Sequence, residues 1–142
     1  MKKNIARLLL VALLTLSLLT AVTSCGKRIS GDEAKAFIGD FLAEISEGDY
    51  EAAEEFLHPD RPADLKSFFE ETEAEDGVDF QAGIEIEKYT NFKSSLYNTS
   101  VGGSAYELTM KTVVGENEVL FTIEIVRNNN GYGIYNLYLN VD

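Results

Sequence analysis

One thiol, one imidazole and a surplus of carboxylates are the reactive side chains of this 142-residue sequence. Cys25 is the only cysteine, so the chain forms no internal disulfide, and its sulfur is open to modification. His58 is the only histidine, which excludes a pair of histidines as metal ligands or as an acid–base couple. Alone, an imidazole titrates near neutrality and suits a general base. However, His58 precedes Pro59 at a predicted helix end, where it serves the unpaired carbonyls, and the structural role is the reading adopted. Glu73, Glu75, Asp76 and Asp79 gather around Gly77 without the alternating spacing and terminal glutamate of a calcium loop. They read as a solvated loop. Glu124 shares a strand face with Leu120 and Val126, an apolar setting that raises a carboxyl pKa and suits proton abstraction. Tyr132, Tyr135 and Tyr138 recur every third residue and so alternate between the faces of a strand, as core or pocket lining. Ser104 follows Gly102-Gly103 without a nucleophile-elbow pattern, and no glycine-rich phosphate loop is present. Glu124, Tyr135 and His58 are therefore weak pocket candidates. The sequence calls for no catalytic set, no metal and no cofactor.

The elements that must position these residues follow from periodicity. Ser30 and Glu33 form a capping-box pattern, and Ala34, Phe37, Ile38, Phe41, Leu42 and Ile45 trace one face of a helix that stops at Gly48. Asp49 caps a second helix predicted to reach Leu57, ended by His58-Pro59. A third is predicted from about Pro62 to Thr72, with Leu65, Phe68 and Phe69 inward, before a polar loop over residues 73–77. The period then changes to two. Strands are predicted from Ile84 to about Phe92, from Tyr106 to Val114, from Val119 to Ile125 and from Tyr132 to Val141. Asn98–Ser104, Gly115-Glu116-Asn117 and Asn129-Asn130-Gly131 connect them. Helices followed by strands with hairpin-length links argue an α+β domain, with N-terminal helices packed on one face of a four-stranded antiparallel sheet.

The N-terminus has a different logic. Lys2, Lys3 and Arg7 precede an apolar run from Leu8 to Val22, shorter than the roughly 20 residues that span a bilayer. Val22-Thr23-Ser24-Cys25-Gly26 then resembles the bacterial lipobox. The resemblance implies a lipoprotein signal peptide over residues 1–24, cleavage between Ser24 and Cys25, and a diacylglycerol on the Cys25 sulfur. Residues 25–30 would be a short lipidated tether. The chain would be exported and anchored to the outer face of the cytoplasmic membrane, or to the outer membrane of a two-membrane bacterium. The formal charge is −12, and the segment to be removed carries only positive charges, so the mature chain is more acidic still. Such a surface repels nucleic acid.

The stretch Phe41 to Pro59 resembles the opening of nuclear-transport-factor-2-like (cystatin-like) domains, including bacterial lipoproteins of uncharacterised function. Gly48, Asp49, Tyr50, Ala53 and Leu57 carry that likeness, and the closing strands fit the family's last hairpin. Where such hairpins often hold a tryptophan, this chain has Gly133. The resemblance covers residues 31–142 and implies a sheet curved into a cone, often with a pocket at its open end. Two functions are compatible. One is a membrane-anchored, non-catalytic domain that binds a small ligand or an envelope protein. The other is a small-molecule isomerase or dehydratase using a buried carboxylate and a tyrosine. The resemblance also implies a homodimer, since sheets of these domains often pair through their outer faces, and the apolar Leu120, Val126, Leu137 and Leu139 hint at a covered outer face.

Overall fold

The computed structural model describes residues 28–96 and 101–142. The predicted signal peptide, Ser24, Cys25 and part of the Asn98–Ser104 connection lie outside the described residues. Among the described residues, no helix is long and apolar enough to cross a membrane.

Helix α1 spans Gly31–Glu47. Ser30 Oγ accepts from the Glu33 backbone N–H at 3.1 Å, satisfying a first-turn donor. Gly48, with φ of 74°, ends the helix in a left-handed conformation open to glycine. The predicted stripe is buried, with Ala34, Ile38, Phe41 and Ile45 fully so. Asp49 caps α2, which spans Tyr50–Glu54 and stops short of the predicted Leu57. The cause is non-local. Phe56 accepts from the Ile134 N–H at 2.8 Å, and His58 donates to the Ile134 carbonyl at 2.9 Å, so the chain turns extended to bridge a distant strand.

Helix α3 spans Leu65–Asp76. It starts later than predicted because Asp64 is its cap, accepting from the Ser67 N–H at 2.9 Å. It also runs through Glu73, Glu75 and Asp76, where the sequence suggested a loop, and ends at Gly77. Leu65 and Phe69, four residues apart, carry its buried stripe, whereas Phe68, expected inward, is 37% exposed. A short 3-10 turn at Phe80–Ala82 leads into the sheet.

The sheet is antiparallel in the order β1-β2-β3-β4. Its strands are β1 (Ile84–Leu96), β2 (Ser104–Val114), β3 (Asn117–Asn128) and β4 (Gly131–Val141). Strand β1 extends past the predicted Phe92 because Lys93 through Leu96 pair with β2. Leu108, Met110 and Val114 on β2, with Val119, Phe121, Ile123 and Ile125 on β3, form the buried face, as period two requires. Thr112 sits among them with its hydroxyl donated to the Val119 carbonyl at 2.9 Å. An aromatic chain joins helices to sheet: Phe69 meets Phe80 at 4.9 Å between centroids, and Phe80 meets Phe121 at 6.2 Å. The architecture is α+β. The buried core extends from Ile29 to Ile134, so a chain beginning at Gly26 holds all of it.

Strand β4 departs from simple alternation. Ile125 pairs with Ile134, but Glu124 pairs with Asn136, leaving Tyr135 as the extra residue of a bulge. The bulge reverses which side chains face inward. Tyr132 and Ile134 pack on the core before it, and Leu137, Leu139 and Val141 do so after it. This corrects the expectation that Leu137 and Leu139 coat the outer face. Of the residues proposed for that face, Val126 is buried and Leu120 alone is exposed.

Candidate binding groove along the last strand

Beyond the bridge between Leu57 and Ile134, the edge of β4 is uncovered by the described residues. A groove of about 290 Å³ opens there, between the strand and the segment that leads into α3. Its apolar lining comes from Leu57, Leu65, Phe68, Ile134 and Leu137. Tyr138, 61% exposed, stands at its rim. Arg61, Tyr135 and Asn136 supply its polar groups. The Arg61 guanidinium lies 4.5 Å from the centroid of the Tyr135 ring, where the ring's negative face holds a cation.

Of the three weak candidates, only Tyr135 lines the groove. His58 is fully buried, with its ring edge-on to Tyr135 at 5.4 Å. Its Nδ1 accepts from the Asp60 backbone N–H at 3.1 Å, which leaves the proton on Nε2, 3.0 Å from Asn128 Oδ1. Both ring nitrogens are thus engaged in holding the 58–60 turn against the sheet. Asn128 is the centre of that corner. Its Oδ1 also accepts from the N–H groups of Asn130 and Gly131, and its amide donates to Val101. Glu124 is buried on the opposite side of the sheet from α1, where it accepts from the Asn136 amide and sits opposite Glu107 in register.

Gly133 is the point of closest approach between β4 and the segment that crosses it. A Cβ there would lie 2.6 Å from the His58 nitrogen and 2.7 Å from the Leu57 carbonyl carbon. Any side chain would displace the crossing segment.

No family model, curated protein or solved structure matches the chain. The site therefore stands on its own geometry. Two of the four carboxylates around Gly77 are occupied with backbone: Glu73 accepts from the Phe80 N–H at 3.0 Å and Asp79 from the Gln81 N–H at 3.0 Å. Next to Asn128 on β3, Arg127 pairs with Glu33 and lies 4.5 Å from the Tyr132 ring, tying β3 to the start of α1. The Tyr132 phenol is pushed up to about 12, chiefly by burial and then by Glu33, against an opposing pull from Arg127.

Arg61 is a groove residue that periodicity did not single out, and Phe68 is one that periodicity assigned to the core. Their role depends on where the 59–64 connection crosses the sheet edge. One signal was in plain view: no charged residue occurs between Arg127 and Asp142, in a chain that is 25% charged.

Proposed function

We propose that this chain is an exported bacterial lipoprotein, cut after Ser24 and anchored by diacylglycerol on Cys25, whose folded domain binds rather than catalyses. The observation that carries the binding reading is the open groove on β4, apolar along its floor with one guanidinium at its end. Pockets of this make-up hold a ligand by apolar contact and orient it with a few polar groups. The engagement of His58 with Asn128 and the Asp60 amide, and of Glu124 with Asn136, supports a non-catalytic role for both. The likeness to nuclear-transport-factor-2-like domains, with helices packed on a sheet curved as a cystatin-like cone, belongs to the same proposal. It rests on the order of helices and strands, on the Gly48-Asp49 junction, and on the bulged last hairpin.

Native mass spectrometry of the chain from Gly26 onward tests this reading. The expected result is a species heavier than the bare monomer that reverts to bare monomer in the double variant Phe68→Asp, Tyr138→Asp. Both side chains are exposed enough for the variant to fold. A wild type seen only as bare monomer would overturn the reading, as would an added mass that the double variant retains.

A further inference from the structure

The two edges of the sheet are built to opposite specifications. Strand β1 carries Glu85, Glu87, Lys88 and Lys93, and its pairing is irregular between Ile86 and Lys88 and again between Tyr89 and Asn91. Charges and bulges of this kind keep an edge from recruiting another strand. Strand β4 has none of the charges and no proline. After its single bulge at Tyr135, it pairs regularly with β3 from Asn136 to Val141. An uncharged, regular edge with apolar neighbours is a template for a further strand.

Backbone direction follows from the hydrogen bonds. Asp142 N–H donates to the Glu118 carbonyl at 3.0 Å, and antiparallel pairs alternate between bonded and non-bonded. Counting back from Asp142, the peptide groups of Leu137, Leu139 and Val141 point away from β3, as those of Ile134 do towards Phe56 and His58. Ile134 is 1% exposed under the Leu57 segment, whereas Leu137, Leu139 and Val141 are only partly buried. The rim of the core is open along this run.

Charge selects the occupant. Arg61 rests on Tyr135 and makes no ion pair among the described residues, in a chain with 24 acidic and 12 basic side chains. An acidic group therefore belongs opposite it. We propose that two copies of this chain pair antiparallel through the free edges of β4, a proposal that rests on β4 being the binding surface and names its occupant. Among the described residues, the longest antiparallel register that stops short of the Leu57–Ile134 bridge and sets outward-pointing residues opposite one another places Leu139 opposite itself and Leu137 opposite Val141. Those are the residues whose peptide groups point outward, so the register joins donors to acceptors throughout. It also sets Asp142 of the second copy against Asn136, next to Tyr135 and the Arg61 above it. The two-fold symmetry repeats this Arg61–Asp142 pair at both ends of the seam. No side chain from Asn136 to Val141 is charged, so the strongly acidic surfaces meet only beyond the seam.

Sedimentation equilibrium on the chain from Gly26 onward, with charge-swapped variants, tests the proposal. Arg61 and Asp142 are both exposed, so their exchange leaves the core intact. Wild type is expected to dimerise. Arg61→Asp and Asp142→Arg should each weaken the dimer about tenfold or more, since each loses two ion pairs and brings like charges together. The double variant should return to within about threefold of wild type. Amide exchange at Leu137, Leu139 and Val141 should slow as the dimer forms. A monomeric wild type at about 1 mM would overturn the proposal, Kd values there corresponding to negligible association. So would single variants that dimerise like wild type, or a double variant no better than the singles. A monomer that nonetheless carries a small molecule or another protein in the groove would refute the second copy while leaving β4 as the binding surface.

Discussion

Replacing Gly133 by alanine should open the corner on which the groove is built. The added methyl would sit 2.6 Å from the His58 nitrogen and 2.8 Å from its Cα, both backbone atoms that move only with the whole segment. Relief requires Leu57 and His58 to withdraw from β4. That breaks the bonds between Phe56 and Ile134 and between Ile134 and His58, at 2.8 and 2.9 Å. Each contributes about 0.5–1.5 kcal/mol net. The same withdrawal pulls the buried His58 ring from Asn128 and leaves buried polar groups unmatched. Together the loss should be about 2–3 kcal/mol, a large part of the stability of a domain of this size. Urea unfolding followed by circular dichroism measures it as a fall in the midpoint at unchanged slope. A variant within about 0.5 kcal/mol of the parent would refute the argument, because surface substitutions away from strained sites commonly stay within that range.

Other consequences are as direct. Asn128→Ala removes partners from His58, Val101, Asn130 and Gly131 at once and should cost about 2–3 kcal/mol in the same assay. Tyr132→Phe should be neutral or slightly stabilising, because the Tyr132 hydroxyl is buried with no hydrogen-bond partner among the described residues, while the ring keeps its contacts with Arg127 and Phe37. In alkaline titration followed at 295 nm, Tyr132 should ionise last, near 12, and its step should vanish in Tyr132→Phe. Burial pushes Tyr50 and Tyr89 the same way. The sign of the linkage follows from the folded state holding these protons more tightly than the unfolded chain. The stabilisation is complete below the ordinary tyrosine pKa of about 10 and is lost as the pH rises through about 12.

How far the sequence could be read depended on the range of the interactions that decide each feature. The ends of α1 were legible because Ser30 and Gly48 act on their own neighbours. The buried faces of β2 and β3 were legible because period two is a property of the strand itself. The shortening of α2 was not, since Phe56 and His58 leave the helix for Ile134, far along the chain. Nor was the orientation of Leu137 and Leu139, which a single bulge at Tyr135 reverses. Within the groove, Tyr135 was a candidate from the start. Arg61 and Phe68 acquire their place only from the path of the 59–64 connection over the sheet edge. The uncharged run after Arg127 is visible in the sequence, but its meaning depends on β4 being an edge strand.

The central claim is that the edge of β4 is a binding surface used at the membrane. Hydrogen exchange read by mass spectrometry tests this, comparing the full chain in membranes of the bacterium that expresses it, with the proposed lipid anchor, against the dilute chain from Gly26 onward. Peptides covering Tyr135–Val141 should exchange more slowly in the membrane than in the dilute domain, while those covering β1 exchange alike in both. Equal and rapid exchange of the β4 edge in both settings would contradict it.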